Sequence, residues 1–112
     1  MIEAIVRGYL GESLAVPVYV QKNANAETKF VTIERTGGGM ENHIRSAMIA
    51  VQSYAPTMYE AAELHEEVIG LMLEITDRDD IGGISLNSEY NFTDEETDLY
   101  RYQAVFDIVY YD

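Results

Sequence analysis

Apolar residues recur along this chain with two different spacings, and the change from one to the other separates helices from strands. Near the amino terminus, apolar residues follow the helical spacing, which places their side chains on one face of an α-helix. The residues with this spacing are Ile2, Ile5, Val6, Tyr9, Leu10 and Leu14. We therefore predict a first helix over residues 2–13.

A short strand and a loop are predicted after this helix. Apolar residues here alternate with other residues, which is the two-residue period of a β-strand. Pro17 favours a position at the edge of a sheet, because proline has no amide hydrogen to donate to a neighbouring strand. Residues 22–29 are polar and have no period, so they predict a loop. The alternating residues of the strand are Val16, Val18 and Val20.

The middle of the chain predicts a β-hairpin. Residues 30–36 are rich in β-branched and aromatic side chains, which favour strands, and residues 43–54 have strand character as well. Between them, Gly37, Gly38 and Gly39 permit backbone angles that other residues rarely adopt. We therefore predict that these glycines form the turn of the hairpin.

The second strand of this hairpin has apolar residues at both odd and even positions, so we expect its middle to be covered on both faces of the sheet. A strand covered on both faces is expected near the centre of the sheet. One set of positions is Ala47, Ile49 and Val51, and the other is Ile44, Met48 and Ala50.

A second and longer helix is predicted after Pro56. Thr57 can cap its amino terminus, and Glu60 three residues later completes a capping box. A broad apolar face follows, and four glutamates lie on the opposite side without a cation in the same helix. Such a stripe is either exposed to solvent or in contact with a neighbouring subunit. These glutamates are Glu60, Glu63, Glu67 and Glu74.

Two antiparallel strands are predicted near the carboxyl terminus. Residues 84–92 alternate in polarity, which places Ile84, Leu86, Ser88, Tyr90 and Phe92 on one face. Residues 100–110 alternate in the same way. The predicted order is αβββαββ over one domain, residues 1–112. The expected fold is α+β, with a mostly antiparallel sheet packed against two helices.

Composition excludes several classes of protein. Apolar residues make up 47% of the 112 residues, and no long uncharged run predicts a membrane span. The chain has no cysteine, which excludes disulfides and thiolate metal sites. The first residues lack the basic region of a secretion signal, so we expect an intracellular protein.

The charge balance is strongly acidic, with 20 Asp and Glu against 7 Lys and Arg and a net charge of -13. Binding to a nucleic-acid backbone requires basic residues that neutralise phosphates, so specific nucleic-acid binding is not expected. Three functional interpretations stay open besides solubility: a basic protein partner, a surface that repels DNA, and mimicry of DNA.

No motif in the sequence predicts an active site, a cofactor or a metal ion. The glycines lack the following helix and lysine of a phosphate-binding loop. Asp77 and Asp79 begin a calcium-loop pattern that fails at Ile81 and Ser88. His65 is not followed by the second histidine of a zinc-protease helix. We therefore expect a protein that acts through its surfaces and not as an enzyme.

Read as a whole, the chain resembles the tail terminator or tail-completion proteins of long-tailed phages and prophages. The segments that carry the resemblance are VPVYVQK, FVTIERTGGGMENH, SYAPTMYEAAELHEEV and SLNSEYNFTDEETDLYRYQAVFDIVYY. It implies an α+β subunit of a ring, typically a hexamer, that caps the tail tube and joins it to the head connector. It also implies assembly in the cytoplasm of the bacterial host, a place in the virion, and passage of DNA through the ring.

On this interpretation, contacts with other subunits or partners are expected in three regions: the polar loop, the predicted turn and the acidic face of the second helix. The alternatives are another head-to-tail connector protein and an acidic DNA mimic that inhibits a DNA-binding protein. The candidate contact residues are Lys22, Lys29, Thr36, Gly37, Gly38, Gly39, Met40, Glu41, Glu60, Glu63 and Glu67.

Overall fold

A computed structural model describes residues 1–20, 27–94 and 98–111. The chain begins with helix α1, and a short parallel edge strand, β1, precedes the long hairpin strands β2 and β3. Helix α2 and a single 3-10 turn lead to the last two strands, β4 and β5. The bounds are α1 Ile2–Ser13, β1 Val18–Tyr19, β2 Phe30–Glu41, β3 Ile44–Ala55, α2 Met58–Met72, the 3-10 turn Ile75–Asp77, β4 Ile81–Asn91 and β5 Tyr100–Tyr111. The predicted α+β class and element order are confirmed.

The strands form one five-stranded sheet in the order β1-β2-β3-β5-β4. β1 pairs in parallel with β2, and the other three pairings are antiparallel. The predicted central place of β3 and edge place of β1 are therefore confirmed. None of the helices in the described residues is long and apolar enough to cross a membrane.

Both helices pack on the same face of the sheet. The buried residues of α1 are Ile2, Val6 and Leu10, and those of α2 include Leu64, Val68 and Met72. They share one hydrophobic core with inward-facing residues of β2, β3 and β5, which alternate along each strand as the pleat requires. These sheet residues are Val31, Ile33, Ala47, Ile49, Val51, Ala104, Phe106 and Ile108.

The turn of the central hairpin lies at Asn42 and His43, and the predicted turn at the three glycines is wrong. Asn42 and His43 have φ angles of 53° and 67°, which a two-residue turn needs in order to match the right-handed twist of its strands. The glycines lie inside β2, and none of them has a positive φ.

Two irregularities change which residues share a face. The register shifts between Arg35 and Gly37 in β2, and again between Leu86 and Ser88 in β4. A β-bulge inserts one extra residue and so reverses the alternation that follows it. The prediction that residues 84–92 keep one face is therefore wrong, because Leu86 pairs with inward-facing Phe106 while Ser88 pairs with outward-facing Val105.

Helices cover only one face of β3, so the expectation that both faces are covered holds in part. Ala50 is buried by side chains of the neighbouring strands, whereas Met48 and Ile44 on the same face are exposed. The sheet therefore has one face without a helical layer, which we call the bare face.

Candidate interaction surface

The bare face is built from cross-strand rows of side chains from β2, β3, β5 and β4. One row runs through Thr32, Gln52, Gln103 and Tyr90, which are direct partners in successive strand pairs. Thr32 Oγ1 donates to Gln52 Oε1, and Gln52 Nε2 donates to Gln103 Oε1, each at 2.6 Å. Gln103 Nε2 then donates to the Tyr90 hydroxyl. We call these four residues the polar row.

Aromatic side chains form the end of the bare face nearest the start of β5. The rings of Phe30 and Tyr54 stack with centroids 4.5 Å apart. The Arg101 guanidinium lies 4.4 Å from the centre of the Phe92 ring, and its Nε donates to the Phe92 carbonyl oxygen at 2.8 Å. Arg101 also donates to the Tyr54 hydroxyl at 3.1 Å. These contacts hold an otherwise mobile cation flat against the sheet.

A shallow groove of about 610 Å³ lies between this aromatic end and the middle of the bare face. Its floor is the polar row, and Met48, Ala50 and Val105 line it as well. The lining residues are mostly neutral, with Glu34 and Arg101 as its charged members. Such a surface fits a neutral, partly apolar partner better than an anion or a metal ion.

The opposite end of the bare face, which we call the outer arm, comprises residues 36–48 with the strand segments that pair with them, 81–85 and 107–111. Large apolar side chains are exposed here on the bare face: Ile44 at 45%, Met48 at 37%, Val109 at 39% and Tyr111 at 53%. The small residues Gly39, Ser46 and Gly83 lie with Val109 in one cross-strand row.

Acidic residues are concentrated on the helical side of the molecule. Helix α2 exposes Glu63, Glu66 and Glu67, and no ion pair involves them among the residues that the structure describes. On the bare face, Asp107 accepts a hydrogen bond from Asn87 at 3.0 Å. Glu34 and Glu41, which pair with Ala50 and Ile44, lie on the bare face as well, so this face carries fewer carboxylates than the helical side but is not free of them.

A second polar cluster lies on the helical side, where α2 meets the end of β4. His65 is 3% exposed, and its Nε2 lies 2.9 Å from Glu89 Oε1. Ligand atoms of His65, Glu66 and Glu89 lie within 4.8 Å of one another, so these residues could hold a divalent cation. The His65–Glu89 hydrogen bond gives the pair a structural role, which ties the helix to the edge strand.

Two shifted pKa values occur near the end of α2. Partial burial, followed by the carboxylates of Glu74 and Asp77, raises the pKa of the Tyr9 hydroxyl above its ordinary value. The hydrogen-bonded pair of Arg78 and Asp80 lowers the pKa of the Asp80 carboxyl and raises that of Arg78. Both groups lie away from the bare face.

The contact residues predicted from the sequence lie in different parts of the structure. Lys22 lies outside the described residues, and Lys29 is half-buried just before β2. Thr36, Gly37, Gly38, Gly39, Met40 and Glu41 form the outer half of β2. The glutamates Glu60, Glu63 and Glu67 lie on α2, on the other side of the sheet.

The polar row and the exposed apolar residues of β5 were not predicted from the sequence. Their positions depend on pairings between distant strands and on the bulge in β4. The sequence did contain one signal for this surface. The apolar residues Ile44 and Met48 of β3 alternate with the core residues and indicated that the second face of the strand is covered.

Comparisons with known proteins identify a fold. No protein-family model matches the chain, and no curated protein sequence is significantly similar to it. Among solved structures, the chain is similar to one from the "Virion of native gene transfer agent (GTA) particle", with a TM-score of 0.64 and 12% sequence identity. The match covers 97% of this chain and 86% of that chain. At this identity the likeness shows a shared fold.

Proposed function

We propose that this protein is a structural subunit of a phage-like virion, and specifically a tail terminator that forms a ring at the end of the tail tube. The ring, a hexamer on this proposal, caps the tube and presents a surface to the head connector. DNA passes through it without specific binding, and the subunit carries out no catalysis.

The bare face is the observation that carries this proposal. A chain with a net charge of -13 keeps few of its carboxylates on one side of its sheet, namely Glu34, Glu41 and Asp107, and exposes large apolar side chains there. Exposed apolar patches of this kind mark protein–protein contacts. The fold shared with a chain of a gene transfer agent virion supports a virion component over other kinds of assembly.

A closed ring of identical subunits requires two different contact patches on each copy. The contact regions predicted from the sequence lie on different sides of the molecule, so we assign the β2 side to a neighbouring subunit and the helical side to the tail tube or the head connector. Lys29 and the outer half of β2 lie along one edge of the sheet, and Glu63 and Glu67 lie on the helical side. These positions are part of the proposal.

The mass of the purified protein in native mass spectrometry tests the ring, alone and after mixing with isolated tail tubes of the same phage or prophage. We expect a six-copy species, and electron microscopy should show it at one end of each tube. A protein that stays monomeric in the presence of tubes and does not bind their ends would overturn the proposal.

A DNA mimic is the competing function, and the exposed carboxylates of α2 favour it. A mimic binds the DNA-contacting surface of an enzyme or repressor, so excess duplex DNA should displace it. Pull-down from a host extract, with and without competing DNA, distinguishes the two. DNA-sensitive capture of a DNA-binding protein would support the mimic and contradict the terminator.

A further inference from the structure

We infer that the bare face is covered by a second copy of this chain, which contacts it through the acid-poor outer arm. This inference assigns a contact surface within the proposed ring. Only the number of copies rests on the proposed function. The surface itself is derived from the exposed residues, the glycines and the charges described above.

The exposed apolar residues of the outer arm form one continuous patch. Ile44 pairs with Tyr111 across β3 and β5, and Val109 pairs with Ser46 two residues along the same strands. Single exposed apolar residues are common on soluble proteins, whereas contiguous groups indicate a contact. Contact of this patch with an apolar surface of another molecule is therefore more favourable than its contact with water.

The glycines of the outer arm support close approach by another chain. Gly37 and Gly39 have ordinary extended φ angles, and a Cβ at either position would meet its nearest neighbours at 3.9 Å and 3.6 Å. The fold of a single copy therefore does not require glycine there, and glycine weakens a strand. Gly38 differs, because a Cβ at that position would lie 2.8 Å from the Ser46 carbonyl oxygen.

The dimensions of the bare face fit a stable interface. Four strands at a spacing of ~4.8 Å give a width of ~19 Å, and strands of 12 residues at ~3.3 Å each give a length of ~40 Å. The product is ~750 Å². A specific interface typically buries about 800 Å² on each partner, so the face is large enough for one.

The charges argue against a basic occupant. A basic partner would be attracted to the carboxylates of the helical side, whereas the bare face carries only Glu34, Glu41 and Asp107. A partner that itself carries a net charge of -13 can approach closely only where both surfaces are poor in carboxylates. The groove provides one such surface and the outer arm the other. A second copy of this chain brings both.

Paired substitutions test the inference by sedimentation equilibrium. Ile44→Glu and Val109→Glu place a carboxylate on the patch. Leu73→Glu and Tyr59→Glu are matched controls, since these apolar residues are 46% and 76% exposed on the helical side. We expect the two bare-face variants to raise the dissociation constant between copies by about 100-fold or more, and the controls to change it by less than about threefold. Circular dichroism verifies folding in each variant.

A thiol probe supplies a second measurement that does not depend on weakening the contact. The chain has no cysteine, so Ser46→Cys introduces its single thiol. We expect the rate of maleimide labelling at Ser46→Cys to fall at least about tenfold on association, and the rate at a Tyr59→Cys control to stay constant. Equal labelling of Ser46→Cys in the monomer and in the assembly would overturn the inference.

The two proposals fail in different ways. If the protein caps tail tubes while the bare-face variants assemble normally, the assigned surface is wrong and the function stands. If the bare-face variants lose self-association but the natural chain does not bind tail tubes, the surface stands and the function is wrong. A natural chain that is monomeric at all concentrations would overturn the inference.

Discussion

The side chains of Gln52 and Gln103 are buried on a face that has no helical layer, each with only 8% of its surface exposed. Each amide accepts one hydrogen bond through its oxygen and donates one through its nitrogen, so the polar row is continuous from Thr32 to Tyr90. A slip of one residue in any of the three strand pairings would break this row. We infer that the polar row fixes the register of the sheet.

Replacing Gln103 by Leu should destabilise the protein by about 1–3 kcal/mol, because it leaves the Gln52 amide nitrogen and the Tyr90 hydroxyl without their partner. For a domain of this size the melting temperature should fall by roughly 4–13 °C. The double variant Gln52→Leu with Gln103→Leu should lose less stability than the sum of the two single variants. Calorimetry of the three variants measures this, and strict additivity would contradict the cooperative row.

Residue-scale features were only partly predictable from the sequence. Gln52 was expected in a strand, but its partners lie 20 and 51 positions away, so its burial depends on the assembled sheet. The three glycines were the strongest local turn signal, yet the turn forms at Asn42 and His43. The pairing of β2 with β3 extends past the glycines, and this tertiary contact overrides the local preference.

At the scale of elements, one hydrogen bond links the two helices. The Tyr9 hydroxyl of α1 donates to the Leu71 carbonyl oxygen near the end of α2, at 2.6 Å. The same oxygen also accepts from the Glu74 amide at 3.1 Å, so the Tyr9 hydroxyl supplies a second donor to a carbonyl at the helix end. Partial burial, and then the carboxylates of Glu74 and Asp77, disfavour the phenolate and raise the Tyr9 pKa, so the hydroxyl stays protonated over a wider pH range than in the unfolded chain.

Replacing Tyr9 by Phe should therefore cost about 0.5–1.5 kcal/mol at neutral pH. Since the folded pKa lies above the ordinary value of 10.0, this stabilisation is fully present below that value. It is lost as the pH rises through the folded pKa. The difference in unfolding free energy between the natural chain and Tyr9→Phe should shrink over this alkaline range in urea denaturation. Tyr59→Phe, at an exposed position, is the control and should show no such change.

The existence and order of the helices and strands could be predicted from short-range sequence patterns. Which side of the sheet each strand residue faces could not. The Thr57 side chain accepts a hydrogen bond from the Glu60 amide at 3.1 Å, as the capping box predicted, because all of its atoms lie within one helical turn. The bulge near Asn87 depends on β5, and it moves Ser88 and Tyr90 to the bare face. Alternation alone could therefore assign β4 as a strand but not the outward position of Tyr90.

At the scale of the whole molecule, the sheet separates a strongly acidic side from a less acidic one. The molecule measures 45 × 24 × 23 Å, so charges on opposite sides lie farther apart than the screening length of about 8 Å at physiological ionic strength. Two copies in contact through the bare face thus keep their helical sides apart. At low ionic strength, where screening extends to about 30 Å, the acidic sides repel each other even through such a contact.

This separation of charge predicts whether added salt strengthens or weakens self-association. Raising sodium chloride from about 0.01 M to about 0.5 M should tighten self-association by at least about tenfold, because salt screens the repulsion and leaves the apolar contact in place. A contact between Glu63 or Glu67 and a lysine of another copy would weaken over the same range.

The variant Glu63→Gln with Glu67→Gln should associate more tightly than the natural chain at low salt, since it removes two negative charges. Sedimentation equilibrium across the salt series separates the two contacts, and association that weakens with salt would assign the interface to the acidic face of α2.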